Sequence, residues 1–132
     1  MMRKIKIRIG LIALLLLGMM VSNASADSAS AVLDYNAYSA DVPWIHNDTS
    51  KQRLVGAVAS ASVYDVQYCV YKGTNSENCN VLHSKFVKSP GDSFDKSYAV
   101  QKKNYRYVSA KIYGNNSENP QKNCYANAIL SN

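Results

Sequence analysis

Beyond residue 26 this chain has little of what helices are made from. All four methionines fall at positions 1, 2, 19 and 20, and glutamate appears only as Glu77 and Glu118. No later segment repeats apolar residues at helical spacing. That argues against an all-α fold and against an amphipathic helix lying on a membrane. Catalytic motifs are missing too. There is no nucleophile elbow, no Gly-rich phosphate loop and no H-E-x-x-H. The two histidines are His46 and His83. Cys79 and His83 are four apart, which would bring them together on a helix but not on a strand, and this stretch reads as strand, so a Cys–His nucleophile is set aside. No C-x-x-C knuckle accompanies the cysteines, so a zinc site is not indicated. The carboxylates are scattered, and no acid/base pair stands out. The chain reads as non-enzymatic, with no metal and no cofactor.

Negative charge is absent from the first 26 residues, which hold Arg3, Lys4, Lys6 and Arg8. The apolar run Leu11 to Val21 follows, then Ala24-Ser25-Ala26. A basic start, an apolar middle and a small-residue A-x-A site form a secretory signal. The run is too short for a membrane span, which takes ~20 residues, and no cysteine at the cleavage site offers a lipid anchor. The expected organisation is a signal over residues 1–26, cut after Ala26, and a single secreted domain over 27–132. The whole chain carries a formal +6. Without the four cations of the signal, eleven basic residues face nine acidic ones, or about +2. A nucleic-acid partner calls for a strongly basic domain and is not expected.

What the domain does have is tyrosine, ten in all, with abundant Val, Ser and Asn. This is strand and turn composition. It predicts an all-β fold, a small antiparallel β-sandwich or barrel of six to seven strands. A short strand is expected near 32–38, followed by a loop through His46 and Asp48. Tyr64, Val66, Tyr68 and Val70 then alternate with Val63, Asp65, Gln67, Cys69 and Tyr71. Further strands are expected at 81–87, 94–101, 105–113 and 124–130. Ser89-Pro90-Gly91-Asp92 is a turn, and Lys102-Lys103-Asn104 reads as a hairpin tip. Gly73-Thr74-Asn75-Ser76-Glu77-Asn78 resembles Gly114-Asn115-Asn116-Ser117-Glu118-Asn119, each with a cysteine downstream. Both copies read as loops between strands, as in two similar hairpins, with glycine supplying positive φ and asparagine tolerating it.

Export puts Cys69, Cys79 and Cys124 in an oxidising setting. Three thiols allow one bridge and leave one over. If the first hairpin folds about Thr74, Cys69 and Cys79 stand opposite each other, within reach of a disulfide at a non-hydrogen-bonded position. Cys79–Cys124 is the competitor, and Cys69–Cys124 or no bridge at all are the remaining alternatives. In the favoured pairing Cys124 is the odd thiol, available for a disulfide-linked dimer.

The stretch holding Lys102, Lys103, Tyr105, Arg106 and Tyr107 is the leading binding candidate. Interleaved cations and aromatics suit an anionic surface, by charge steering and by the amphipathic phenol; the plainer alternative is a solvated hairpin tip. The second candidate is the face opposite Val108, Ala110 and Ile112, expected to present Tyr105, Tyr107 and Tyr113 outward with Lys111. Trp44 reads as core, with a partner anchor as the alternative. A signal followed by a Tyr/Asn/Ser-rich β chain is a layout shared with small secreted bacterial proteins, bacteriocin-like and inhibitor-like ones among them. The expected role is a secreted interaction protein, antimicrobial or toxin-like, acting on a cell-envelope component. The alternative partner is another secreted protein, such as an enzyme to be inhibited.

Overall fold

The computed structural model describes residues 27–132; the expected export signal lies outside them. Eight strands follow in order: β1 (Ser28–Leu33), β2 (Ser39–His46), β3 (Gln52–Val58), β4 (Val66–Gly73), β5 (Val81–Lys88), β6 (Ser93–Tyr98), β7 (Tyr107–Gly114) and β8 (Ala126–Ser131). Among the described residues the helical content is one 3-10 turn, Ser76–Asn78. The strands make two four-stranded sheets, ordered β1-β8-β3-β6 and β2-β7-β4-β5. All neighbours are antiparallel. This is the strand order of a jelly roll, two Greek keys folded face to face.

The all-β sandwich expected from composition is present, with eight strands rather than six or seven. The first strand lies earlier than expected, at β1, and residues 34–38 form a turn closed by the Ala37 N–H on the Asp34 carbonyl (3.0 Å). Residues 39–46, expected as a loop, are strand β2. Pairing runs Val42↔Ala110 and then Ile45↔Val108, so Pro43 and Trp44 together oppose Ser109. That is a β-bulge on an edge strand, where proline's missing N–H breaks no ladder. The bulge also lets Val42 and Ile45, three residues apart, both enter the core.

The core lies between the sheets. Val66, Tyr68 and Val70 of β4 and Val108, Ala110 and Ile112 of β7 point into it, as their alternation implies. Tyr68 is fully buried, and its hydroxyl reaches the carbonyls of Ala57 (3.3 Å) and Asn127 (3.1 Å) on the opposite sheet. Its ring meets Phe94 at 4.5 Å and Phe86 at 5.3 Å. Burial drives this phenol's pKa far upward, so it stays protonated.

Apart from the β4–β5 hairpin, each connection crosses from one sheet to the other. Segments 47–51, 74–80 and 99–106 therefore share one end of the sandwich. Segments 34–38, 59–65, 89–92 and 115–125 share the other. Lys102-Lys103-Asn104 is thus not a hairpin tip but part of a crossover from β6 to β7. The turn at 89–92 forms as expected. Gly91 has φ +91°, and the Asp92 N–H donates to the Ser89 carbonyl (3.0 Å).

The repeat-like segments are both loops between strands, but only the first is a hairpin. They share a cap: Asn75 Oδ1 accepts the Asn78 N–H (2.9 Å), and Asn116 Oδ1 accepts the Asn119 N–H (2.7 Å). Left-handed φ falls on Asn115 (68°) rather than on either glycine. Gly73 and Gly114 serve close approach instead. A Cβ would lie 2.5 Å from Cys79 Cα at the first and 2.1 Å from the Gln121 carbonyl oxygen at the second.

No disulfide joins the cysteines; all three are free. In the hairpin Tyr71 pairs with Leu82 and Cys69 with Lys85. The ladder is therefore centred beyond Thr74, and Cys79 lies in the loop past its end rather than opposite Cys69. Cys124 is fully buried, with its thiol directed at the Tyr64 carbonyl (3.4 Å). It has no exposed sulfur for a dimer link, which corrects that expectation as well.

Candidate functional site

Two neighbouring regions carry the residues singled out from sequence. The first is the β6–β7 crossover. A buried polar clamp holds it. Asn47 Nδ2 donates to the carbonyls of Val100 (2.8 Å) and Tyr105 (2.9 Å). Gln52 Nε2 donates to Asn47 Oδ1 (2.6 Å) and to the Val100 carbonyl (3.0 Å), while its Oε1 accepts the Val100 N–H (2.8 Å). Both side chains are almost fully buried, and the network is satisfied, as such networks must be. The Lys102 N–H donates to Ser50 Oγ (2.8 Å). Lys102 and Lys103, between the clamped points, and Arg106, just past them, stand exposed and line one open hollow of about 530 Å³ with Ser50. None of the three takes part in an ion pair among the described residues.

Tyr105 departs from the expected outward position. It precedes β7, packs against the core, and its ring lies 4.6 Å from Lys72 Nζ. Lys72 Nζ also lies 3.4 Å from His83 Nδ1. Burial, then the charge of Lys72, holds the His83 pKa below its ordinary value.

The second region is the outer face of the β2-β7-β4-β5 sheet. Tyr107, Ser109, Lys111 and Tyr113 line up there along β7, half-buried, as alternation implies. Lys111 Nζ lies 3.5 Å from Asp41 Oδ1 and 5.3 Å from the centre of the Tyr113 ring. Trp44, expected first as core, is 43% exposed. The bulge aims it outward, and its ring stands edge-on to Tyr107 (5.1 Å) and His46 (5.4 Å). Cys69 lies under this face, 2% exposed, and burial pushes its thiol pKa up. A groove of about 420 Å³ runs between Asp41 and Trp44 on β2, Lys111 and Tyr113 on β7 and Tyr71 on β4, with Glu77 and Cys79 of the 74–80 loop at its rim. Ser109 Oγ donates to the Cys79 carbonyl (3.3 Å), tying the loop to the sheet. The Cys79 thiol pKa is raised by burial, which disfavours the reactive thiolate.

Sequence reading found Lys111 and Tyr113, gave Trp44 as a partner anchor only second to a core role, and missed Asp41 and Tyr71. The usable cue was Pro43-Trp44 within a stretch of otherwise strand-like residues, the mark of a bulged edge. Asn47 and Gln52 left no periodic trace.

Among the described residues no group of three His, Cys, Asp or Glu is placed to hold a metal, and no helix is long and apolar enough to cross a membrane. No protein-family model and no curated protein matches the chain. Among solved structures it is similar to a cleaved adhesin domain of Lys-gingipain from Porphyromonas gingivalis, with a TM-score of 0.51 and 12% identity over 78% of this chain and 71% of that one. A second adhesin domain of the same protein gives 0.49 at 12% identity, with 71% of this chain spanning 62% of its length. A protein of the Bacillus endospore appendages, described as disulfide-linked pili, gives 0.43 at 14% identity over 80% and 84%. At such identities the first likeness is one of fold, and the other two add nothing to it.

Proposed function

We propose that this chain is an exported, non-enzymatic binding protein whose cationic loop end docks on the anionic polymers or headgroups of a cell envelope. The convergence of Lys102, Lys103 and Arg106 on one hollow, on a segment held by the Asn47–Gln52 clamp, carries the reading. The domain is nearly neutral overall, so attraction to an anionic surface has to come from a local cluster such as this one. Tyr107 follows Arg106 directly in the chain, its ring packed against Trp44 and His46. An antimicrobial or toxin-like action is the finer form of the reading, and growth inhibition of indicator cells by the purified protein would report it.

The test is co-sedimentation of protein collected from the medium of cells expressing the full chain. The probes are phosphatidylglycerol vesicles, phosphatidylcholine vesicles and washed cell walls. Binding should favour the anionic surfaces and fall as salt is raised. At about 1 kcal/mol per cation near an anionic surface, a Lys102→Ala/Lys103→Ala/Arg106→Ala variant should bind roughly 100-fold more weakly with its melting temperature unchanged. Equal binding to neutral vesicles, or full binding by the variant, would refute the reading. A one-to-one complex with a secreted hydrolase and no surface binding would replace it with an inhibitor.

A further inference from the structure

We infer that the groove on the outer face of the β2-β7-β4-β5 sheet is a binding site for an uncharged saccharide chain, separate from the cationic end. Its lining has the two parts a sugar needs. Trp44 and Tyr113 offer flat apolar faces to the C–H side of a pyranose ring, where an amphipathic ligand sheds water without losing its hydroxyl partners. Asp41 and Glu77 accept hydroxyl protons, Lys111 donates, and Ser109, whose proton goes to the Cys79 carbonyl, accepts; bonds to the charged groups are the stronger ones. The volume of about 420 Å³ falls within the usual range for small-ligand sites.

The same lining disfavours other ligands. An acyl chain would need an aliphatic wall, but Val42 and Ala110 turn their side chains into the core and leave Pro43 as the one exposed aliphatic residue in the lining. An anionic polymer would meet two carboxylates against one ammonium. An added β-strand would need a regular free edge, whereas β2, the edge strand in the lining, is broken there by Pro43 and the bulge.

The groove is also held ready. Trp44 is braced edge-on by Tyr107 and His46. The Asn75–Asn78 cap and the Ser109–Cys79 bond fix the overhanging loop. Little ordering is left for a ligand to impose, and that favours affinity.

Trp44 is the single tryptophan of the chain, so its fluorescence reports on this groove alone. The experiment titrates the full exported protein with tetramers of N-acetylglucosamine, glucose and mannose. At least one should give a saturable change that persists at about 1 M salt, where the Debye length is about 3 Å. Tyr113→Ala and Asp41→Asn, which leave the reporter in place, should each weaken that binding by about tenfold or more. The Lys102→Ala/Lys103→Ala/Arg106→Ala variant should bind as the parent does. Loss of vesicle binding with sugar binding kept would sink only the cationic reading. No saturable change with any of the three sugars, or equal binding by folded Tyr113→Ala and Asp41→Asn variants, would overturn the saccharide site.

Discussion

Asn47 and Gln52 decide how firmly the cationic crossover is presented, although neither is charged nor exposed. Asn47→Ala would leave the Tyr105 carbonyl without its side-chain donor and take one of two partners from the Val100 carbonyl and from the Gln52 amide, at about 1–3 kcal/mol for an unsatisfied group. A loss of about 3 kcal/mol is expected. It should show as a lower denaturant midpoint with an unchanged m-value, together with faster amide exchange over residues 100–106. Unchanged exchange there would mean that the clamp does not hold the segment. His83 makes a second prediction at this scale. Lys72 lies beside it, and the Tyr98 ring stands near-perpendicular to it with ring centres 5.7 Å apart. Burial and Lys72 hold its folded pKa down, whereas the unfolded chain takes up the proton near pH 6.5. Below that pH the unfolded state binds more protons, so stability should fall as pH drops from about 7 through 6.5 and onward. His83→Gln should flatten this slope in denaturation midpoints, and parallel slopes for the two proteins would count against it.

Single strands show where pattern reading works. β4 and β7 are central in their sheet, with a dry inner face and a half-covered outer face, so their alternation was visible in the chain. β3 and β8 were harder. Both are buried on both faces, Val55, Ala57 and Ile129 forming a small cluster outside the main core; β8 was still expected, at 124–130, whereas β3 was not expected at all. Two-sided burial erases the period of two. Strand β2 was read as a loop because its bulge breaks the alternation at Pro43-Trp44. The Lys102 segment looked like a hairpin because turn chemistry marks where a chain reverses and not which sheet it enters next. The disulfide expectation failed for a related reason. It assumed a symmetric hairpin, whereas the 74–80 loop and the bulge between Val70 and Tyr71 shift the register. The bulge in β2 is directly testable. Deleting Pro43 would force Val42 or Ile45 out of the core, at about 2–5 kcal/mol for a buried aliphatic side chain. Pro43→Ala keeps the residue count and should cost less than about 1 kcal/mol. Urea unfolding of both variants measures the contrast, and similar losses would show that the extra residue does not set the register.

At the scale of the whole molecule, the core holds together without a covalent staple. The described domain is of a size for which a single core suffices, and its thiols act as small apolar residues. Its melting temperature should therefore be the same with and without reductant. In the native protein a thiol reagent should reach Cys79 first, and Cys69 and Cys124 only on unfolding. A drop in melting temperature under reductant would reveal a bridge. Acid should act through surface pairs: Arg53 beside Asp95 (2.8 Å) and His46 beside Asp27 (2.8 Å) hold both carboxyls below their usual range. Their contribution is present above about pH 4 and fades as the pH falls further.

The corner around His46 also bears on how the chain could be rewired. The Asn132 N–H donates to the Asp27 carbonyl (3.2 Å), and the Asn132 side-chain amide donates to the His46 carbonyl. First and last described residues therefore touch, at the end that carries the cationic loops. A short glycine linker could join them into a ring, and the ring could be opened at Pro90-Gly91, at the far end. Circular permutation is well tolerated where termini adjoin and the new break falls in an exposed turn. The permuted protein would carry its free ends, and any tag or surface anchor fused to them, on the side opposite Lys102, Lys103 and Arg106, leaving that end clear to meet a surface.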